Sequence, residues 1–180
     1  MSADPYRTSS DLGEPVLDPK FSAFVTYNRR TTKELEKVLN IHIFPDIDND
    51  IETPLFFPTG PCEYASRVDR DMTFTTIAFD EEWTDQVVLD TLFDKQLRPA
   101  TFEEFISFLS VESNRKELSD ITLVALGSTM VLQDEDGSAY YAVACYSYKP
   151  HIGHILETST YDDDGEWSAD NLFLAVPINS

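Results

Sequence analysis

The segment HIGHILE carries the side chains in this sequence that are best suited to bind a metal ion. His151, His154 and Glu157 would supply two imidazoles and a carboxylate, which are ligands of zinc and related metals. On a helix their spacing would align them, but Pro150 and Gly153 favour a strand, in which residues three apart point to opposite faces. We therefore interpret the histidines as one packed and one exposed strand residue, and we expect neither a metal nor another cofactor.

The segment DIDNDIE matches the first part of a calcium-binding loop. Asp46, Asp48 and Asp50 occupy the first three ligand positions of such a loop. Ile51 stands where the loop requires glycine, and Phe57 stands where its bidentate glutamate belongs. These mismatches exclude an EF-hand, so weak cation binding at the surface is the most that this segment predicts.

The sequence offers few candidates for a catalytic nucleophile. Cys145 could pair with His151 or His154, and Ser128 lies in ALGST, but that segment lacks the G-x-S-x-G arrangement of a nucleophile elbow. There is also no glycine-rich nucleotide-binding motif. Cys62 and Cys145 are far apart and form no C-x-x-C pair, so we expect two free, buried thiols. We predict a protein without catalytic residues that is not an enzyme.

The chain divides into a polar start and one folded region. Residues 1–20 contain three prolines and no apolar periodicity, which predicts a flexible arm. Residues 21–180 predict a single α+β domain, with 21–96 and 97–180 as possible lobes. We prefer one compact unit because no low-complexity linker separates the two halves.

Local patterns predict short strands and a helix in the N-terminal lobe. Strands are expected at 21–28 (FSAFVTYN), at IHIFPDI and at 72–79 (MTFTTIAF). Thr31 and Glu34 form a capping box that starts a helix at 32–40.

Two further helices are predicted from their caps and apolar faces. Asp80 caps the first of them, whose apolar face consists of Trp83, Val87, Val88 and Leu92. Thr101 and Glu104 form a capping box for the second, whose apolar face consists of Phe102, Phe105, Ile106 and Leu109.

From Ile121 onward the apolar residues follow the period of strands. Turn signals that end at Gly137 and Gly165 divide this region into ITLVALGSTMVL, SAYYAVACYSY, HIGHILETSTY and NLFLAVPI. The predicted fold class is α+β, with an N-terminal β/α lobe followed by a helix and a four-stranded antiparallel meander. Neither face of SAYYAVACYSY is polar, which predicts a central strand covered on both faces or an aromatic surface for a partner.

The segments LRPATFEEFISFL, ITLVALGST and NLFLAV together resemble a pattern found in uncharacterised bacterial and phage-type proteins. In that pattern an Arg-Pro-Ala-Thr helix start leads to an Ala-Leu-Gly-Ser strand and then to a closing Phe-Leu-Ala-Val strand. The resemblance covers the C-terminal half of the chain. It implies a reusable module of a helix and a meander and a bacterial or phage host, and it implies no activity.

Negative charge is the strongest global signal. With 13 Lys and Arg against 33 Asp and Glu, the 180-residue chain has a formal net charge of −20, although 42% of its residues are hydrophobic. We expect a folded core, and a surface that repels phosphate backbones and anionic lipids. No apolar run is long enough for a membrane helix, and no secretory signal is recognisable. These features predict a soluble, cytoplasmic protein that binds neither nucleic acid directly nor a membrane.

The acidic residues form three groups, at 46–52, 134–136 and 162–166. Carboxylates on the loops of a folded scaffold favour association with a basic protein. We predict a non-catalytic binding protein, either an inhibitor that imitates nucleic acid or an immunity-like protein. The predicted contact residues are Asp134, Glu135, Asp136, Tyr140, Tyr148, Asp162, Asp163 and Asp164. The alternative is a structural or assembly protein of a phage or bacterium that forms homo-oligomers through the arm at 1–20.

Overall fold

The structure, a computed structural model, describes residues 16–17, 21–27, 42–43, 56–118, 121–133, 139–160 and 166–179. The strands are β1 (Val16–Leu17), β2 (Phe21–Val25), β3 (His42–Ile43), β4 (Phe56–Pro58), β5 (Arg70–Ala78), β6 (Trp83–Thr84), β7 (Leu97–Pro99), β8 (Thr122–Gln133), β9 (Ala139–Lys149), β10 (Gly153–Thr160), β11 (Glu166–Trp167) and β12 (Asn171–Pro177). The helices are α1 (Asp85–Asp94), α2 (Phe102–Ser110), α3 (Glu112–Lys116) and a 3₁₀ helix at Gly60–Tyr64. The fold is α+β, as predicted.

Most of the strands form one mixed, curled sheet, in the order β1-β5-β12-β8-β9-β10-β3. β2 also pairs with β5, β4 with β8, and β7 with β12, whereas β6 and β11 form a separate two-stranded sheet. Strands from the N-terminal and C-terminal parts of the chain share the large sheet, since β5 is a neighbour of β12 and β3 of β10.

The sheet is not the simple antiparallel meander that the sequence predicts. β8, β9 and β10 are antiparallel neighbours, as expected. β12, however, lies parallel to β8, with Phe173 opposite Val124, and antiparallel to β5. The predicted pairing of HIGHILETSTY with NLFLAVPI is therefore wrong. β12 instead lies between β5 and β8, where Leu174, Ala175 and Val176 are buried, and a run of apolar residues favours such a position with both faces covered.

Helices α1 and α2 cover opposite faces of the sheet. The apolar face of α2 packs in one cluster with Leu123 and Ala144. Val88 of α1 packs in a second cluster with Val124 and Val143. Because successive residues of a strand point to opposite faces, the two clusters lie on the two sides of the same strands. The middle of β9 is therefore buried on both faces, which confirms its prediction as a central strand.

The start of α2 has the capping box that the sequence predicts. The Thr101 hydroxyl accepts a hydrogen bond from the backbone N–H of Glu104, and the Glu104 carboxylate accepts one from the backbone N–H of Thr101. Each side chain thus satisfies a donor that the helix itself leaves without a partner.

The start of α1 differs from the prediction. The helix begins at Asp85, with Thr84 as its N-cap, rather than after Asp80. Trp83 does not belong to the helix but to β6, where it pairs with Trp167 of β11. Both tryptophans are buried. Their pairing holds Trp83 in an extended strand, although the local pattern predicts that it belongs to the first turn of the helix.

β8 contains an irregularity that brings three backbone segments together. Between Ala125 and Thr129 its register with β9 shifts. Within this stretch the N–H of Gly127 donates to the carbonyl of Ala100 at 3.0 Å, and the carbonyl of Gly127 accepts from the N–H of Thr59 at 3.1 Å. A Cβ atom at Gly127 would lie 2.4 Å from the Ala100 oxygen, so the close approach requires glycine.

The segments LRPAT, ALGST and NLFLAV meet at the start of α2. The N–H of Ala100 donates to the carbonyl of Leu174 at 2.9 Å, and the N–H of Phe102 donates to the Ser128 hydroxyl at 3.0 Å. β7, which contains the first part of LRPAT, also pairs with β12. Together the three segments form one structural unit that positions α2.

The strands predicted at FSAFVTYN and MTFTTIAF are confirmed as β2 and β5, and the two described residues of IHIFPDI form β3. The predicted helix at 32–40, most of the arm at 1–20 and the turns ending at Gly137 and Gly165 lie outside the described residues. From the arm, β1 pairs with β5. In the part of the chain that the structure describes, no helix is both long and apolar enough to cross a membrane.

Candidate functional site at the acidic end of the sheet

A row of paired residues crosses four strands near one end of the sheet. Phe56 of β4 pairs with Met130 of β8, Met130 pairs with Ala142 of β9, and Ala142 pairs with Thr160 of β10. Phe56 is the first residue of its strand and Thr160 is the last, while β8 runs on only as far as Gln133. The chain therefore enters or leaves the sheet at this end in all four strands.

Three connections are attached to this end of the sheet. Residues 134–138 join β8 to β9, residues 161–165 follow β10, and residues 44–55 join β3 to β4. The connection 44–55 is attached here only where it enters β4 at Phe56, because β3 ends at Ile43 opposite Leu156, four residues before the end of β10. We call the end marked by this row the acidic end, because its three connections contain the predicted acidic groups, apart from Glu166, which begins β11.

The three connections carry much of the negative charge of the chain. They contain no Lys or Arg, and their acidic residues are Asp46, Asp48, Asp50, Glu52, Asp134, Glu135, Asp136, Asp162, Asp163 and Asp164. These residues lie outside the described residues, so the structure specifies where their connections are attached and not how their side chains are arranged. Connections that are rich in carboxylates create a local negative potential that attracts cationic partners.

The two tyrosines predicted as contacts lie at opposite ends of β9. Tyr140 pairs with Leu132 beside the acidic end, and its side chain lies outside the described set. Tyr148 pairs with His154 at the other end of the strand, and its ring centroid lies 5.3 Å from that of the histidine. The backbone thus separates Tyr148 from the connections that carry the predicted acidic contacts.

The end of β9 opposite the acidic end carries a lysine in an ion pair and lies beside a histidine on β10. Lys149, the last residue of β9, forms an ion pair with Glu157 at 3.6 Å. Burial lowers the pKa of His154, and the positive charge of Arg115 lowers it further. The Nδ1 atom of His154 lies 2.5 Å from the Tyr146 hydroxyl, and burial raises the pKa of Tyr146 to about 12. At this end of β9 the charge of Lys149 is therefore compensated by Glu157, and the lowered pKa of His154 favours its neutral form.

Three apolar side chains that sequence reasoning did not single out are exposed near the acidic end. They are Phe57 of β4, Val131 of β8 and Tyr141 of β9. The only signal in the sequence is their position close to an acidic connection, and strand periodicity alone does not distinguish an exposed apolar residue from a buried one.

Sequence reasoning also missed a buried ion pair beneath α2. The Glu104 carboxylate accepts hydrogen bonds from the Arg98 guanidinium at 2.8 and 2.9 Å and from the Tyr27 hydroxyl at 2.7 Å. Burial alone would raise the pKa of Glu104, but the hydrogen bonds and the charge of Arg98 outweigh it and hold the pKa below its usual value. A capping glutamate in an apolar helix indicated part of this arrangement, but the position of Arg98 depends on the pairing of β7 with β12.

The other residues considered for chemistry are placed apart or have structural roles. Cys62 and Cys145 are free and buried, as predicted, and burial raises their pKa values to about 11 and about 12. Ser128 accepts a hydrogen bond from the first N–H of α2. His154 and Glu157 lie on opposite faces of β10. Among the residues that the structure describes, no group of three or more His, Cys, Asp or Glu side chains is placed to hold a metal ion.

Comparison of the chain with protein-family models, with curated proteins and with solved structures finds no match.

Proposed function

We propose that this chain is a non-catalytic, cytoplasmic binding protein that engages a basic protein through the acidic end of its sheet. The observation that supports this proposal is the row from Phe56 through Met130 and Ala142 to Thr160. Three acidic connections are attached along this row, although they are far apart in the sequence. Acidic groups that are dispersed along the sequence therefore act together near one end of the folded protein.

These connections contain ten carboxylate side chains and no Lys or Arg. Such an uncompensated group of charges attracts a basic surface over distances of about 10 Å at moderate salt, which accelerates association. The same charges repel nucleic acid and anionic lipid. A partner with a basic groove, either an enzyme that acts on nucleic acid or a basic toxin, has the complementary chemistry.

The test begins with capture of partners from a bacterial lysate at salt concentrations of about 0.05 M and about 0.5 M. A captured basic protein is then purified, and its dissociation constant is measured at both concentrations. The proposal predicts binding at low salt that weakens strongly at high salt. If the chain retains only copies of itself or nothing, the proposal is wrong, and a copy-only result would favour the assembly alternative.

A matched pair of variants separates the acidic end from net charge alone. The first variant, Asp134→Asn with Glu135→Gln and Asp136→Asn, removes three charges from one acidic connection. The control, Asp80→Asn with Glu82→Gln and Asp170→Asn, removes three charges from exposed residues near the opposite end of the sheet, where Ala78 pairs with Leu172. We expect the first variant to bind about tenfold more weakly and the control to bind nearly as well as the unaltered protein. Equal losses in both variants would contradict a role for the acidic end.

A further inference from the structure

The three exposed apolar side chains near the acidic end lie on one face of the sheet. Val131 and Tyr141 are directly paired across β8 and β9, and Phe57 of β4 is paired with Thr129. Directly paired residues share a face, and so do residues two apart on one strand. Phe57, Val131 and Tyr141 therefore lie together on the face to which Val143 also belongs, because Thr129 pairs with Val143.

The cluster that contains α1 covers this face in the middle of the sheet but not near the acidic end. Val143 is fully buried and packs in the same cluster as α1. Two residues nearer the acidic end, Tyr141 is 59% exposed, and its partner Val131 is 46% exposed. Phe57 is 54% exposed on the neighbouring strand. The result is a small apolar patch on rigid strands, of which Val131 and Tyr141 form the centre.

We infer that this apolar patch is the anchor site for an apolar or aromatic side chain of the basic partner, flanked in that partner by Lys or Arg. The inference rests on the function proposed above. It adds the identity of the residues whose apolar contacts strengthen binding. Charge complementarity identifies the occupant: the strands that carry the patch lead directly into acidic connections without a single basic residue, so an apolar group arriving here must come with cationic neighbours. Tyrosine on a strand is suited to this role because it offers a large contact area with little loss of side-chain entropy on binding.

The anchor and the charges make separable contributions to binding. Charge governs the association rate and is screened by salt, whereas burial of apolar area is not screened. Part of the affinity is therefore expected to survive at high salt, and that part depends on Val131 and Tyr141.

The test uses two synthetic peptides as probes, each with six lysines. One peptide also contains two serines and the other two tryptophans at the same positions, so that only the apolar content differs. Binding is followed by fluorescence anisotropy at about 0.1 M and about 0.5 M salt. We expect the protein to bind the tryptophan peptide about tenfold more tightly than the serine peptide. In the variant Val131→Thr with Tyr141→Thr this preference is lost, while affinity for the serine peptide is unchanged.

The control variant is Phe24→Thr with Val68→Thr, which removes two apolar side chains that are 57% and 64% exposed elsewhere on the surface. Threonine retains β propensity, and circular dichroism and thermal unfolding check that both variants fold. If the control loses the preference as well, or if Val131→Thr with Tyr141→Thr retains it, the anchor site is wrong. If the serine peptide binds with salt-sensitive affinity and no tryptophan preference exists, the proposed function stands and the anchor site fails. If neither peptide binds, both proposals fail.

Discussion

Glu104 of α2 and Arg98 of β7 face each other as a doubly hydrogen-bonded ion pair, with 0% and 2% of their side chains exposed. The carboxylate also accepts hydrogen bonds from the Thr101 backbone and the Tyr27 hydroxyl. The pair thus connects the helix that covers one face of the sheet to β7 and, through Tyr27, to the segment that follows β2. A buried charge that loses its partner is strongly destabilising, so the position of α2 depends on this contact.

Replacing Glu104 tests the stability of this arrangement. The substitution Glu104→Gln leaves the Arg98 guanidinium buried without its counter-charge, and we expect it to reduce the free energy of unfolding by about 3–5 kcal/mol. The measurement is urea unfolding followed by circular dichroism. As a control, Glu112→Gln removes a carboxylate from the exposed pair with Lys116 and should leave the unfolding midpoint unchanged. Equal midpoints for the two variants would refute the importance of the buried pair.

The same pair predicts a pH dependence in acid. The pKa of Glu104 is held below its ordinary value of 4.5 in the folded protein. A depressed pKa contributes stability that is present above the unfolded value and is lost as the pH falls through the folded value. The difference in unfolding free energy between the unaltered protein and Glu104→Gln should therefore decrease as the pH is lowered below about 4.5. Comparing the two proteins cancels the other carboxylates, and a difference that does not change with pH would contradict an ionised Glu104.

Gly127 is predicted to tolerate no side chain. In Gly127→Ala the added Cβ meets the Ala100 carbonyl at 2.4 Å in the present backbone, so β8 or the start of α2 must shift. We expect a loss of about 3 kcal/mol in unfolding free energy. Gly60→Asn is the matched control, because no atom lies within 4 Å of a Cβ at Gly60 and asparagine tolerates its positive φ of 52°. A stable Gly127→Ala protein would show that the contact with Ala100 is not required.

The two thiols are predicted to be unreactive in the folded protein. Burial raises the pKa of Cys62 to about 11 and that of Cys145 to about 12, so both remain protonated at pH 8, and the thiolate is the reactive form. Labelling with a thiol-specific disulfide reagent should detect neither cysteine until denaturant is added. Ser66→Cys, at an exposed position, provides a positive control that should react at once. Rapid labelling of the unaltered folded protein would contradict the burial of these side chains.

Elements with a strong local pattern were predicted well. The capping box of Thr101 and Glu104 and the apolar face of α2 specify a helix through contacts within a few residues. β5 follows from its β-branched and aromatic content, and β9 follows from an apolar, tyrosine-rich run. The start of α1 was not predicted, because Trp83 takes part in a strand pair with Trp167, which is distant in the sequence.

The sequence predicted only the residue types of the candidate site, not which side chains are exposed there. The acidic groups and Tyr140 can be read from the residues, but the exposure of Val131 and Tyr141 cannot, since strand periodicity assigns Tyr141 to the same face as the buried Val143. The difference between them arises from where α1 stops covering the sheet, which is a property of packing.

The sequence by itself determined the α+β class, the strands at β8, β9 and β10, the capped start of α2 and the large negative charge, because each depends on composition or on neighbours along the chain. Only the tertiary structure decided that β12 lies parallel to β8, that Arg98 meets Glu104 in the interior and that three acidic connections are attached to one end of the sheet. These features depend on which strands pair, and strand pairing is selected by burial of both faces of the sheet between residues distant in sequence, which a local pattern does not encode.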